Sequence, residues 1–183
     1  MNPTDQLREE HGAILELLSV MDNISQRLNT NEAVDQEDLE SIVDFIRIFA
    51  DKCHHGKEEG LLFPAMEAAG MEGEYGPIAV MLSDHEQGRK YVGELAHGVE
   101  TYSSDNNNAP MTIIGAISSY TNLLRQHIYK ENNILFPMAD RLLSPEKQQV
   151  LMDGFEELEE RVIGLGKHEE LHKTLHNLKK AYD

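Results

Sequence analysis

The sequence predicts an all-α protein: an up-down antiparallel four-helix bundle over residues 1–143, with further helices over residues 144–183 packed on it. Three observations carry that prediction. Apolar residues recur at three- and four-residue steps through several long segments. Leu, Glu, Ala, Lys and Met recur, and no stretch reads as a strand or hairpin. The connections are short, which makes successive helices antiparallel neighbours.

The first helix is expected over residues 3–28, opening on Pro and Thr and running out at "NTNEAVD". Leu7, His11, Ile14, Leu15, Leu18 and Met21 share one face of it. A second helix is expected from near Asp35 to Gly70, with Pro64 kinking or breaking its last turns. The third begins near Pro77, a residue suited to a first turn. "SSDNNNAP" is the clearest loop. The fourth helix covers residues 111–143. "SPEKQQVLMDGFEELEERVIG" has a Ser-Pro-Glu helix opening, and "LGKHEELHKTLHNLKKAYD" makes a last short helix after a glycine hinge.

The 183 residues suit one domain with a sizeable core. Net charge is −17, with 33 acidic against 16 basic side chains. That balance argues against binding a phosphate backbone or an anionic membrane, so no nucleic-acid or membrane partner is expected. The one cysteine, Cys53, excludes a disulfide framework and suits a reducing cytoplasm. "MNPTDQLREEHG" has neither a basic nor an apolar leader region, and no apolar run is long enough to span a bilayer.

Function shows in an internal repeat. "HHGKEEGLLFP" (residues 54–64) and "HIYKENNILFP" (residues 127–137) stand 73 residues apart and match at six of eleven positions. A lone histidine precedes each copy, His11 by 43 residues and His85 by 42. Each follows an acidic residue, Glu10 or Asp84. The chain therefore reads as two similar hairpins, each giving one His from its first helix and one His-x-x-x-Glu pair from its second. On an α-helix, positions i and i+4 share a face, so both side chains can point at one ion.

Apolar neighbours put these polar groups in the core. Ile78, Met81, Leu82 and Val92 flank His85, and Leu123, Leu124, Ile134 and Leu135 flank His127. A single inward histidine is ordinarily a satisfied core residue. Four such histidines with two buried carboxylates are costly without a cation. The expected metal ligands are His11, His54, Glu58, His85, His127 and Glu131. The register of the repeat favours His54 and Glu58 over His55 and Glu59, which match Ile128 and Asn132. His55 and His97 are then read as solvated flanks, with His55 and Glu59 alternatively as partners just outside the ligands.

Two bridging carboxylates would give about eight bonds where two octahedral ions need about twelve, leaving room for water or a small ligand. Imidazole and carboxylate together, with open positions, favour redox-active iron over structural zinc. The ligand pattern differs from the Glu and Glu-x-x-His arrangement of ferritin-like proteins.

His11, "HHGKEEGLLFP", His85 and "HIYKENNILFP" together resemble the hemerythrin-like family, the HHE cation-binding domain, over residues 5–142. The resemblance implies a four-helix bundle around two Fe ions, an oxo- or hydroxo-bridged non-haem diiron centre. Its members bind or sense dioxygen or nitric oxide, turn over nitric oxide or peroxide, or handle and repair iron centres. The expected partner is a small diatomic ligand, dioxygen or nitric oxide, and turnover would need an external electron donor, since no reductase module is fused. Oxygen-carrying hemerythrins have a fifth histidine one turn from the third-helix ligand. Here those positions are Met81 and Arg89, so reversible oxygen carriage is less favoured than sensing or reactive chemistry.

"KHEELHKTLHNL" contains the zinc-protease pattern His-Glu-x-x-His, but His168 and His176 are about 12 Å apart along a helix and cannot share one ion with His172. His168 lies on a stripe with Leu171, Leu175, Leu178 and Tyr182, so it faces the bundle. It is a possible additional ligand, as are Glu156, Glu159 and Glu160 as entrance groups; a partly buried docking histidine is the plainer reading. Phe45, Phe49, Phe63, Phe136, Tyr120 and Ile134 are candidate pocket walls, each equally readable as ordinary core. The Tyr120 hydroxyl stands two turns before His127 and is placed to meet a bound ligand. Cys53 points away from His54 and reads as packing.

Overall fold

A computed structural model describes residues 2–102, 108–164 and 166–183. Every regular element among them is helical. α1 (Pro3–Asn29) starts with a reciprocal cap: Asn2 Oδ1 accepts the Asp5 N–H at 2.8 Å, and Asp5 Oδ2 accepts the Asn2 N–H at 3.1 Å. α2 (Gln36–Phe45) is capped by Asp35. It runs without a break through π-wound stretches π1 (Ile46–His55) and π2 (Glu58–Leu62) into α3 (Phe63–Ala68). α4 (Pro77–Tyr102) follows. α5 (Ala109–Lys130) continues through π3 (Glu131–Leu135) into α6 (Phe136–Leu142). Residues 103–107 of the expected loop lie outside the described residues. α7 (Pro145–Val162) is capped by Ser144, and α8 (Lys167–Tyr182) follows Gly166, whose φ of 82° favours glycine.

Pro64 does not break the second helix. Proline has no N–H to give, and its ring crowds the carbonyl four residues back. The wider winding just ahead absorbs that demand. The Phe63 N–H bonds to the Glu58 carbonyl, five residues earlier, and the Phe136 N–H bonds to the Glu131 carbonyl in the same way before Pro137. The extra residue in each turn shifts the inward face by one position. Leu135 is therefore buried while Ile134 is 51% exposed, against the expectation that Ile134 shares the His127 face. Leu82 and Leu15 also face outward.

α4 packs on α5, α5 on α1, and the second helix touches α4 through α2 and α1 through π1. The core has two apolar clusters. One holds Ile14, Leu17, Ala50, Val92, Leu124 and Ile128; the other holds Leu7, Leu62, Met81, Leu135 and Phe136. In all four long helices a histidine or glutamate separates the residues of one cluster from those of the other. A polar layer thus crosses the interior between them. α7 and α8 join these same clusters, through Leu151 and Phe155 below and Leu171, Leu175, Leu178 and Tyr182 above. The Tyr182 hydroxyl donates to Asp38 at 2.7 Å, and Arg27 lies over its ring at 4.8 Å. Among the described residues, no helix is long and apolar enough to cross a membrane.

Candidate metal centre

The polar layer holds all six ligands expected from the repeat, each almost fully buried. With His55 as a seventh residue they form two groups that share Glu58: His11, His54, Glu58 and Glu131, and His55, Glu58, His85 and His127. Glu58 spans the groups, with Oε1 3.5 Å from His54 Nε2 and Oε2 3.4 Å from His85 Nε2. Glu131 Oε2 stands 3.1 Å from His11 Nε2 and 3.2 Å from His127 Nε2. No carboxylate oxygen of either residue has a hydrogen bond of good geometry. The imidazole nitrogens also crowd one another: His11 and His54 Nε2 are 3.0 Å apart, and His85 and His127 Nε2 are 3.1 Å apart. Two unsatisfied buried carboxylates amid inward-facing Nε2 atoms are what a cation would satisfy. The donor set of imidazole and carboxylate fits iron.

His55 corrects the expectation that it is a solvated flank. It is 5% exposed and lies in the second group. Continuous π winding through π1 turns Cys53, His54 and His55 all inward, which an α-helix would not do. The second long helix thus brings the His55 ring to 3.9 Å from that of His85 on the third. The missed signal was Asp51, an acid one turn before His55.

Each of the five imidazoles has an oxygen partner at Nδ1. His54 meets Glu10 at 2.8 Å, His11 meets Asn132 at 2.8 Å, and His85 meets Glu59 at 2.7 Å. His127 meets Asp84 and His55 meets Asp51, both at 3.3 Å. Such partners fix ring orientation, and in His11, His54, His85 and His127 they leave Nε2 facing Glu58 or Glu131. Glu59 thus holds a ring from outside, in line with its place beside the expected ligand Glu58. Glu10 and Asp84 matter for the same reason, and each also takes a lysine, Lys57 or Lys130, at 2.5 Å.

The arrangement is pseudo-symmetric. Consecutive residues of one hairpin grip the lone histidine of the other: Glu58 and Glu59 hold His85, and Glu131 and Asn132 hold His11. Phe136 stacks on His11 at 5.4 Å, and Phe63 lies over His85 at 6.0 Å.

The charges fit this geometry. Burial opposes ionisation of Glu10, but His54 and Lys57 hold its carboxyl down at about 2. Burial likewise opposes the His127 imidazolium, but the Glu131 charge raises it to about 10. Burial, and then the neighbouring His85, push His55 well below its usual value, so it stands neutral.

A cavity of about 290 Å³ opens onto the second group. Its walls include His55, His85, His127, Val92, Leu124 and Tyr120. Tyr120 is thus the one expected wall residue on this cavity. Phe45 and Phe49 belong to the upper apolar cluster, Phe63 and Phe136 lie on ligand rings, and Ile134 is exposed. Burial pushes the Cys53 thiol up to about 12, which suits packing.

His168 lies in neither ligand group; it rests on Phe49 at 5.7 Å and on His172 at 4.5 Å. The Leu171 to Tyr182 stripe carries α8 onto the core, while His168, at its start, stays on the rim. Glu159 reaches the buried Lys57 at 2.9 Å rather than the ligands. Glu156 and Glu160 line a surface hollow.

The helices and the buried His/Glu layer define a metal-binding helical protein. The hemerythrin HHE cation-binding domain matches residues 2–139, and the chain belongs to that family. Domains of this family bind non-haem iron. A similar protein of Mycobacterium tuberculosis, uncharacterised, is 24% identical over 162 residues, covering 88% of this chain and 62% of its own. The iron-sulfur cluster repair protein YtfE of Edwardsiella ictaluri is 30% identical over 138 residues, covering 72% and 60%. YtfE of Musicola paradisiaca is 35% identical over 94 residues, covering 48% and 40%. The chain thus spans about three-fifths or less of these relatives' lengths.

Proposed function

We propose that this chain is a non-haem diiron protein that binds or senses a small diatomic ligand, dioxygen or nitric oxide, in a cytoplasmic setting. Its fold is the up-down four-helix bundle of residues 1–143, with residues 144–183 as an extension packed on it. One observation carries the reading: Glu58 and Glu131 are buried between two histidine groups with every carboxylate oxygen unsatisfied. A carboxylate that faces two imidazole groups is suited to bridge two ions. His11, His54, Glu58 and Glu131 would hold one iron; His55, His85 and His127, with Glu58, the other. When bound, iron supplies open coordination positions and redox electrons for the diatomic ligand.

The residues supply the rest. The Nδ1 partners hold five rings in orientation. Phe63, Phe136 and the two apolar clusters keep water from the carboxylates. The cavity beside His55, His85 and His127 gives a small ligand its approach, with Tyr120 on its wall. Anaerobic iron loading followed by air or nitric oxide, read by optical and Mössbauer spectra, tests this. Two irons per chain and a lasting adduct are expected. Fewer than two irons would end the diiron reading.

A second reading, iron-centre repair or oxidoreduction with an external electron donor, is favoured by the YtfE relatives. Transfer of iron from the loaded protein to a damaged iron-sulfur protein would support it. Retention of both irons under those conditions would leave ligand binding as the function.

A further inference from the structure

We propose that Arg89 is a positioning residue for one metal position only, that of His55, His85 and His127, and that it acts through Asp51 and Glu59. The proposal rests on the diiron reading above. Arg89 stands on α4 one turn beyond His85. Its Nε donates to Asp51 Oδ1 at 2.9 Å, and its Nη2 donates to Glu59 Oε1 at 2.7 Å. Those same two oxygens meet the Nδ1 atoms of His55, at 3.3 Å, and His85, at 2.7 Å. One guanidinium thus fixes two carboxylates from different turns of the second helix, and each carboxylate fixes an imidazole. The two rings stack 3.9 Å apart with an 18° interplanar angle.

The chemistry requires arginine. Its planar fork presents several donors in fixed directions, so it can hold two carboxylates at a set spacing; an ammonium is a point charge on a flexible stem. The side chain is 43% exposed, and exposed ion pairs add little to folding stability. Its work is therefore expected at the metal, not in the fold.

The effect is confined to one side. The position one turn beyond His11, the counterpart of His85, is Leu15. His54 takes its orientation from Glu10 and Lys57, and His11 from Asn132, none of which Arg89 touches. The two halves of the pseudo-symmetric centre are thus held differently, by the Arg89 guanidinium on one and by the Lys57 ammonium on Glu10 on the other.

The test is anaerobic titration of the full chain with ferrous iron, for the natural protein and for Arg89→Met, Arg89→Lys and Asp51→Asn. The natural protein should take two irons. In Arg89→Met and Asp51→Asn one binding step should weaken by about 10–100-fold, the usual cost of losing an outer partner of a ligand, while the other holds. Mössbauer spectra should show one iron environment altered and one preserved. Arg89→Lys should recover only part of the loss. The unfolding midpoint of the metal-free variants should match that of the natural protein, which excludes a general structural defect. Equal weakening of both steps, or of neither, overturns the proposal. A natural protein that takes fewer than two irons overturns the diiron reading itself, and the two failures are distinguishable.

Discussion

Four imidazoles turn Nε2 toward Glu58 or Glu131 and present Nδ1 to an oxygen, and His55 joins them in the second group, so substitution at each reports on the same centre. His55→Ala should lower iron bound at equilibrium toward one per chain, whereas His168→Ala should leave iron content and spectrum unchanged. Unchanged iron in His55→Ala would return His55 to the flank that the sequence assigned it. His127 makes a pH prediction. Its value of about 10 in the folded, metal-free protein exceeds the ordinary 6.5. The stabilisation it gives is therefore fully present below about pH 6.5 and is lost as pH rises through about 10. The metal-free protein should unfold at lower temperature at pH 10 than at pH 7. Metal needs the neutral ring, so loading near pH 7 should release protons. Calorimetric titrations in buffers of different ionisation enthalpy would detect them, and identical heats would refute the expectation. The six residues found by repeat matching were legible because a site built from two copies leaves its spacing in the chain. His55 has no copy, since Ile128 stands in its place, so the same comparison argued against it.

Helix winding decides what those spacings mean. The positions of α1, α4, α5, α7 and α8 followed from periodicity, Pro starts and caps, which are local in the chain. The π turns did not, because an i→i+5 bond leaves no clear periodic mark over stretches of five to ten residues. The Phe-Pro pair that closes each copy was their one trace, and Pro64 read as a kink or break. Close approach of α4 and α5 makes a further test. A Cβ on Gly98 would meet Ile113 Cγ1 at 2.9 Å and its backbone N at 3.3 Å, while one on Gly88 would meet the side chains of Tyr120, Leu124 and Leu123 at 3.7, 3.8 and 3.9 Å, ordinary contact distances. Gly98→Ala should cost about 1–3 kcal/mol of stability. Gly88→Ala should be neutral or gain up to about 1 kcal/mol from helix propensity. Chemical denaturation of the two variants separates them, and equal midpoints would contradict the packing.

At the scale of the whole molecule, α7 and α8 lie outside the matched family region yet share its core. Lys57 is fully buried between Glu10 and Glu159, so the extension adds a charge to the group that orients His54. Glu159→Gln should lower stability by about 1–2 kcal/mol, the scale of one hydrogen bond to a charged group, measured by urea unfolding. A change below about 0.3 kcal/mol would show that Glu10 alone satisfies Lys57. The counterpart Lys130 is one-third exposed. The extension thus covers one flank of a pseudo-symmetric centre and leaves the cavity on the other. The sequence announced the docking stripe of α8, but not the Glu159 contact, which joins residues 102 positions apart.

The exchange of grips between the hairpins bears on how small a centre of this kind can be. Residues 77–142 carry the histidine, the His-x-x-x-Glu pair, the Nδ1 partner Asp84 and the cross-reaching Asn132 that one half contributes. Two identical copies related by a two-fold axis would supply four imidazoles and two bridging carboxylates, a full cage without His55 or its arginine brace. A synthetic homodimer of that one hairpin is therefore the symmetric counterpart of this site in chemical terms, and the natural chain is its desymmetrised form, with Arg89 beside one histidine group and the Lys57–Glu159 contact beside the other.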